Sequence, residues 1–376
     1  MAVKRIKAAL IGSGAISGIY LKNLTKTFHI VDLVGCSDII PERSAKRAEE
    51  FGIRQMTNQE IYEDKSIEIV VNTTYPTAHY TVNKEALLAG KHVYCEKMIA
   101  VKLEEGKELI DLAHDKGLQF TMAPDTFLGG GWQSARYYID HGFIGEPVSA
   151  TATCIRDYSD NGASLGPQLS FVYLPGGGIP FDMGGYYLHA FINLFGPMSR
   201  VTGFAKTRGV KKFTNPRHPK YGEALDIQSP NTMNATLEFA NGVYANLLLT
   251  SESALFPTPI FEVYGTEGHI TLFDPNNHGG PITLHRKSGD AAMPLVHGLD
   301  VDGRGIGVVD MAYAIKNGRR PRAHAEMGYH AFEVIHGVIN CTQTNQVHIM
   351  QSTCERPAAV RRGQIWGEAH ESFLDD

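Results

Sequence analysis

A short apolar run, Ile6–Ile11, leads straight into Gly12-Ser-Gly14-Ala-Ile-Ser17, and that junction restricts the chain more than any other feature. A glycine directly after a buried strand permits a tight turn. A second glycine two residues on lets the backbone approach a pyrophosphate, which a helix N-terminus then stabilises. Gly12, Ser13, Gly14, Ala15 and Ile16 are therefore expected to cradle a dinucleotide, with the small Ser17 in the third position of the fingerprint. The segments beyond this turn keep up the alternation that such a start demands. Helix is expected over 15–27, strand over 31–36 and helix over 41–51, with Pro41 in its first turn. Then come strand over 67–72, helix over 80–89, strand over 92–95, helix over 104–116 closed by Gly117, and strand over 119–122. This order implies a parallel, doubly wound sheet.

The texture changes near Ala123-Pro124. A helix over 131–141 precedes β-rich runs at 148–155, 198–207, 232–239, 243–251, 261–264 and 269–273. Asn241-Gly242 between two of them is a hairpin signal. A mostly antiparallel open sheet is implied, with one helix after the triple glycine at 176–178 and another over 326–340. Segments 206–225 and 278–307, rich in Gly, Pro and charge, read as loops. With 376 residues the chain is too long for one average domain. The expected division is a dinucleotide-binding domain over 1–123 and an α/β domain for substrate binding and oligomerisation over 124–376.

A net charge of −5 gives no basic face for nucleic acid. No apolar run approaches the ~18 residues of a membrane span. Cys36, Cys95, Cys154, Cys341 and Cys354 are scattered without a Cys-x-x-Cys pair, as in a reduced cytoplasmic protein. The N-terminus has no apolar signal region, so the expected location is the cytoplasm. The 16 histidines form no His-Glu-x-x-His, and no metal site is expected.

Four further places carry chemistry. Asp38 closes the second strand, where a carboxylate binds the adenosine ribose and repels a 2′-phosphate, favouring NAD over NADP. Thr74 and His79 follow the strand over 67–72, at the edge of the sheet where ligands lie; His79 reads as a helix N-terminal residue ahead of a direct ligand role. Glu96-Lys97 follows the next strand at the same edge. An ammonium there orients a substrate hydroxyl and stabilises a developing alkoxide, while Glu96 pairs with it or holds the nicotinamide ribose. Asp182 is expected to begin a helix, with Tyr186 and His189 four and seven residues on and so on one face. Asp182 is a hydroxyl acceptor; Tyr186 and His189 are the candidate bases, histidine being the stronger one near neutrality.

Taken together, Gly12-Ser-Gly14, the Thr74/His79 segment, Glu96-Lys97, the triple glycine with Asp182, Tyr264-Gly-Thr-Glu-Gly268 and the closing Cys354-Glu-Arg-Pro357 resemble the glucose-fructose oxidoreductase / inositol dehydrogenase / rhizopine-catabolism (Gfo/Idh/MocA) family over nearly the whole chain. The resemblance implies a Rossmann domain, an open-sheet domain used for oligomerisation, and oxidation or reduction of a secondary alcohol or carbonyl on a sugar or inositol. Two positions depart from the family: Met98 stands where Glu-Lys is usually followed by Pro, and Tyr186 where a histidine is frequent.

The stretches 123–129 and 182–188 are similar to a subgroup that oxidises glycosides at C3. The resemblance therefore implies NAD-dependent formation of a 3-keto glycoside, with a separate lyase as a downstream partner and a symmetric homo-oligomer as the assembly. Asp125, Trp132, Arg156 and Asp157 are candidate substrate contacts. The rivals are a dehydrogenase of free sugars or inositols, and a non-catalytic NAD-dependent sensor, which would need neither Lys97 nor the 182–189 face.

Overall fold

The structure, a computed structural model, describes residues 5–156, 158, 172–208, 211–212, 216, 221–225, 227–253, 260–301, 303–362 and 374–375. Asp157, one of the expected substrate contacts, lies outside them. The helices in chain order are α1 (Ser17–Lys22), α2 (Pro41–Phe51), α3 (Asn58–Glu63), α4 (Pro76–Leu88), α5 (Leu103–Asp115), α6 (Gly130–Asp140), α7 (Gly178–Asp182), α8 (Gly184–Phe195), α9 (Ile306–Asn317) and α10 (Ala325–Thr344). A π-helical turn, Asn23–Thr27, continues α1.

By its contacts the chain divides into two units. The first is Met1–Gly130 with Val296–Tyr329 and Ala358–Asp376; the second is Gly131–Leu295 with His330–Pro357. A single cut after residue 123 does not describe this division, because two later segments return to the first unit. The returns have physical anchors. Met122 N–H donates to Ala323 O (3.0 Å), and buried Asp310 of α9 pairs with Arg322 (2.6 Å) and Arg319 (2.7 Å). Arg322 also donates to the carbonyls of Ala358 and Ala359, tying down the last segment.

The first unit is built on six parallel strands: β1 (Ile6–Ile11), β2 (Val31–Ser37), β3 (Arg54–Gln55), β4 (Ile69–Asn72), β5 (His92–Cys95) and β6 (Phe120–Met122). Their order in space is β3-β2-β1-β4-β5-β6. Parallel strands covered by helices on both faces lose the polar/apolar alternation. Accordingly Ile-Val-Val-Asn of β4 is buried at every position. The order reverses between β1 and β4, so their carboxyl ends open the crevice where open α/β sheets bind ligands.

The second unit carries a sheet of nine strands among the described residues. They are β7 (Pro147–Ile155), β8 (Met198–Lys206), β11 (Thr232–Phe239), β12 (Tyr244–Thr250), β13 (Ile260–Gly265), β14 (His269–Thr271), β15 (Thr283–Arg286), β16 (Gly289–Ala292) and β17 (His348–Ile349); β9 (Lys211–Lys212) and β10 (Ala224–Leu225) form a separate pair. The order is β16-β15-β14-β13-β7-β12-β11-β8-β17, antiparallel throughout except β7 with β12. Alternate residues of β11 and β12 face the core, and α8 is buried at every position. Phe191 of α8 lies 4.7 Å (ring centres) from Phe261, and Phe195 lies 5.2 Å from Phe239. Among the described residues no helix is long and apolar enough to cross a membrane.

Candidate active site

In the first unit, the carboxyl ends of β1, β2, β4 and β5 each deliver an expected residue. Gly12 has φ +101°, and a Cβ there would lie 2.7 Å from the backbone of Thr73 and Thr74, so only glycine fits the turn. A Cβ on Gly14 would meet nothing within 4 Å, and Ala15 and Ile16 are exposed. The tip of the turn is thus open backbone, as a pyrophosphate requires. Asp38 holds the turn in place: its Oδ2 accepts from Ser13 N–H (2.7 Å) and its Oδ1 from Ile40 N–H (2.8 Å). Asp38 is thus an end-of-strand turn residue, and its half-exposed carboxylate lies at the carboxyl end of β2. These residues fit a dinucleotide.

Thr74 is half-buried; its hydroxyl donates to Asn72 Oδ1 (2.7 Å), which in turn is fixed through Asn72 Nδ2–H to Asn83 (2.8 Å). His79 is a correction. It is fully buried, with Nδ1 2.6 Å from Met98 O and Nε2 3.0 Å from Thr74 O, so both ring nitrogens face backbone carbonyls and the neutral ring donates to one of them. Burial lowers its pKa, against the opposing pull of the two carbonyls. It ties the loop after β4 to the residue after Lys97 and has no nitrogen left for a cofactor. Glu96 is buried and Lys97 half-buried, and the Lys97–Met98 peptide is cis. Glu96 Oε2 accepts from the Lys97 N–H (3.0 Å), and Oε1 accepts from the phenol of Tyr20 (2.7 Å). Sequence patterning gives no sign of Tyr20, a helix residue 76 positions away.

Asp125, expected to touch substrate, is fully buried; its Oδ2 accepts from the N–H groups of Gly305 (2.8 Å) and Gly307 (3.1 Å) at the head of α9. It is an anchor for the returning segment rather than a substrate contact.

In the second unit, Asp182 does not begin the long helix. It closes α7, and after Met183 the chain starts α8 at Gly184, so the pattern of four and seven residues spans a break. Asp182 is half-buried, and its Oδ2 accepts from the phenol of Tyr158 (2.5 Å). Tyr158 was not expected from sequence. Its own carbonyl accepts from the Tyr173 hydroxyl. Burial first, then the charge of Asp182, drives the Tyr158 phenol well above its ordinary pKa, so it is a donor to that carboxylate and not a base. Tyr186 and His189 are buried, and His189 Nδ1 lies 2.8 Å from Gly185 O, one turn back. Trp132 is also a correction. It is fully buried between Phe261 and Phe273 and donates from Nε1 to Asn277 O (3.1 Å), so it is core. Arg156 pairs with Asp274 (3.0 Å) beside Tyr158 and keeps 31% of its side chain exposed, enough to meet a ligand.

A doubly wound parallel sheet with a glycine turn at its switch point, an aspartate after β2 and Glu-Lys after β5 defines a dinucleotide-binding α/β protein. Comparison with known proteins narrows the class. Residues 6–123 match the model of an oxidoreductase family with an NAD-binding Rossmann fold, and residues 132–271 match the GFO/IDH/MocA C-terminal domain. The chain belongs to the Gfo/Idh/MocA oxidoreductase family, and its N-terminal domain binds NAD.

An uncharacterized oxidoreductase of Schizosaccharomyces pombe is 31% identical over 52% of this chain and 53% of its own length. An inositol 2-dehydrogenase/D-chiro-inositol 3-dehydrogenase of Lactiplantibacillus plantarum is 31% identical over 38% of this chain and 42% of its own. A levoglucosan dehydrogenase of Pseudarthrobacter phenanthrenivorans is 27% identical over 62% of each chain. The chain thus spans about half the length of the first curated relatives it matches. In fold it is similar to a levoglucosan dehydrogenase solved with NADH and L-sorbose (TM-score 0.80, 20% identity, 93% of this chain and 99% of that one).

Proposed function

We propose that the protein oxidises a secondary hydroxyl of a sugar moiety with NAD, and that its substrate is a glucoside oxidised at C3 to the 3-keto glycoside. The observation that carries this reading is Lys97. It is a half-buried lysine at the carboxyl end of β5, on the same sheet edge as the glycine turn, beside a buried glutamate. Bound NAD⁺ supplies the hydride acceptor. The Lys97 ammonium donates to the reacting hydroxyl oxygen and stabilises its alkoxide character as the carbinol C–H is lost. Asp182, steadied by Tyr158, accepts from a sugar hydroxyl, and Arg156 donates to the sugar or its aglycone. The hydroxyl proton passes to Tyr186 or His189. With its Nδ1–H donating to Gly185 O, a neutral His189 has Nε2 as its basic atom. Products are ketone, reduced nicotinamide and one proton.

The glycoside is favoured by the wording of 123–129 and 182–188 and by the levoglucosan dehydrogenase relative. The inositol dehydrogenase relative favours a second reading, oxidation of inositols or free sugars. A homo-oligomer, a cytoplasmic location and a downstream lyase complete the proposal.

The test is reduced-nicotinamide absorbance with aryl O- and C-glucosides, glucose, xylose and myo-inositol, each with NAD⁺ or NADP⁺. A 3-keto product from glucosides supports the first reading; turnover of inositol or free sugar alone moves it to the second. Lys97→Met is expected to lower turnover about 100- to 1000-fold with NAD affinity kept within about threefold. Unchanged turnover in that variant would remove Lys97 from the chemistry. NAD binding with silence across the panel would point to the sensor.

A further inference from the structure

The two oxygens of the Glu96 carboxylate are divided between two parts of the first unit. Oε2 holds the backbone N–H of Lys97, and Oε1 is held by Tyr20, one turn into the helix that follows the glycine turn. Behind Tyr20 stands a second phenol, Tyr94 of β5, with hydroxyls 3.2 Å apart and ring centres 5.8 Å apart. Tyr94 and Asp125, the residue that holds the head of α9, both pack against Gly307, where a Cβ would come within 3.0 Å of either. Tyr20, Tyr94 and Asp125 are fully buried and Glu96 nearly so.

We propose that Tyr20 is a positioning residue for the Glu96–Lys97 turn, with Tyr94 and Asp125 as the buried frame that holds its phenol in place. The proposal rests on the reading that Lys97 is the reacting cation.

The proton count supports it. Each of the two phenols has one proton to give. Burial first, then the charge of Glu96, raises the Tyr20 pKa well above the ordinary value; burial, then Asp125, does the same for Tyr94. Both keep their protons, so Tyr20 donates to Glu96 and Tyr94 donates to the Tyr20 oxygen. With Oε1 pinned from the helix side, Oε2 has a fixed direction in which to hold the Lys97 N–H. A buried carboxylate stripped of one donor would turn, and the lysine that it seats would move with it. The reacting atoms must meet within about 3–3.5 Å, and a shift of about 1 Å costs on the order of 100-fold in rate.

Tyr20→Phe removes one oxygen and leaves the ring. Expected are a kcat lowered about 10- to 100-fold and a sugar KM within about threefold. If Tyr20 acts through Glu96, the double variant Tyr20→Phe/Glu96→Gln loses no more kcat than Glu96→Gln alone. A phenol that only stabilised the fold would lower Tm and leave kcat alone, or add its loss to that of Glu96→Gln; either result overturns the proposal. Turnover retained in Lys97→Met would instead sink the underlying reading.

A substrate-free measurement covers a wild type that turns over nothing in the panel. The amide resonance of Lys97, identified in ¹⁵N-lysine protein by its loss in Lys97→Met, should shift in Tyr20→Phe; an unmoved resonance overturns the proposal. If Tyr20→Phe does not fold, the ¹³Cζ resonance of Tyr20 reads the same bond and must move on Glu96→Gln.

Discussion

Tyr158 places its phenolic hydrogen on Asp182 Oδ2 across 2.5 Å, and so fixes the one half-exposed acid at the junction of α7 and α8. The junction itself is loose by composition, since Asp182 ends one helix and Gly184-Gly185 open the next. A carboxylate at such a break has no helix register to aim it, and the phenol supplies the direction. Tyr158→Phe deletes only that donor. A hydrogen bond to a charged group contributes about 1.5–3 kcal/mol. If half of it is expressed in sugar binding, KM rises on the order of tenfold, because about 1.4 kcal/mol is one decade. Steady-state kinetics with the preferred sugar, beside an NADH titration by fluorescence, checks this. An unchanged sugar KM would show that Asp182 is held equally well without Tyr158.

The cofactor half of the site makes a separate prediction at Gly12 and Asp38. Gly12→Ala forces a Cβ to within 2.7 Å of the Thr73–Thr74 backbone at φ +101°. Strain of that kind costs about 1–3 kcal/mol, and the turn must shift to relieve it. NADH affinity should fall more than about tenfold, together with Tm. Asp38→Asn keeps an acceptor for one of the two N–H groups, Ser13 or Ile40, and removes the charge that repels a 2′-phosphate. The ratio of kcat/KM for NADP⁺ over NAD⁺ should therefore rise about tenfold or more in this variant while its fold is kept. A ratio that did not move would assign Asp38 to the turn alone.

The parts of this molecule that sequence revealed are those in which one local pattern decides the structure. Strands β1, β5 and β11 and helix α2 start and end where their apolar runs and punctuation placed them, because a buried parallel strand is a short apolar run and Pro41 marks a first turn. Helix α9 was not anticipated. It is buried from Ile306 to Ala314 and so shows little of the one-sided apolar stripe that marks an amphipathic helix. The hairpin β15–β16 hid for the opposite reason: Gly-Asp-Ala-Ala of β16 is exposed throughout and carries no apolar signal, so 278–307 read as a loop. At the candidate site, the placement of the glycines, Asp38 and Glu96-Lys97 was legible because each stands directly after an apolar strand. Tyr158 and Tyr20 were not, since nothing local pairs them with Asp182 and Glu96 across separations of 24 and 76 positions; only the tertiary fold does. Trp132 and Asp125 misled because an aromatic ring and an acid serve equally well as a core filler and a helix anchor.

Stability against acid should pass through His330. The residue is fully buried in α10; its Nε2 accepts from Met198 N–H (2.9 Å), and its Nδ1 lies 2.9 Å from Ser352 Oγ. An imidazole whose Nε2 accepts is neutral there, and burial lowers its pKa to about 4, against the opposing charge of Glu333. In the unfolded chain the ring titrates near ~6.5. Between these values the unfolded state binds more protons than the folded one, so stability rises with pH across that window and falls as pH drops from about 6.5 to about 4. The loss amounts to about 3 kcal/mol at most, at ~1.4 kcal/mol per pH unit. His297, buried and likewise lowered to about 4, adds a change of the same sign. His330→Gln offers an amide oxygen to Met198 N–H and cannot titrate. Urea midpoints measured from pH 7 to pH 4.5 should decline less steeply in the variant than in the wild type. The two proteins should therefore converge in stability, or cross, toward the acid end. Parallel declines would mean that folding leaves the titration of His330 unshifted, and that the Met198 N–H does not hold its ring neutral.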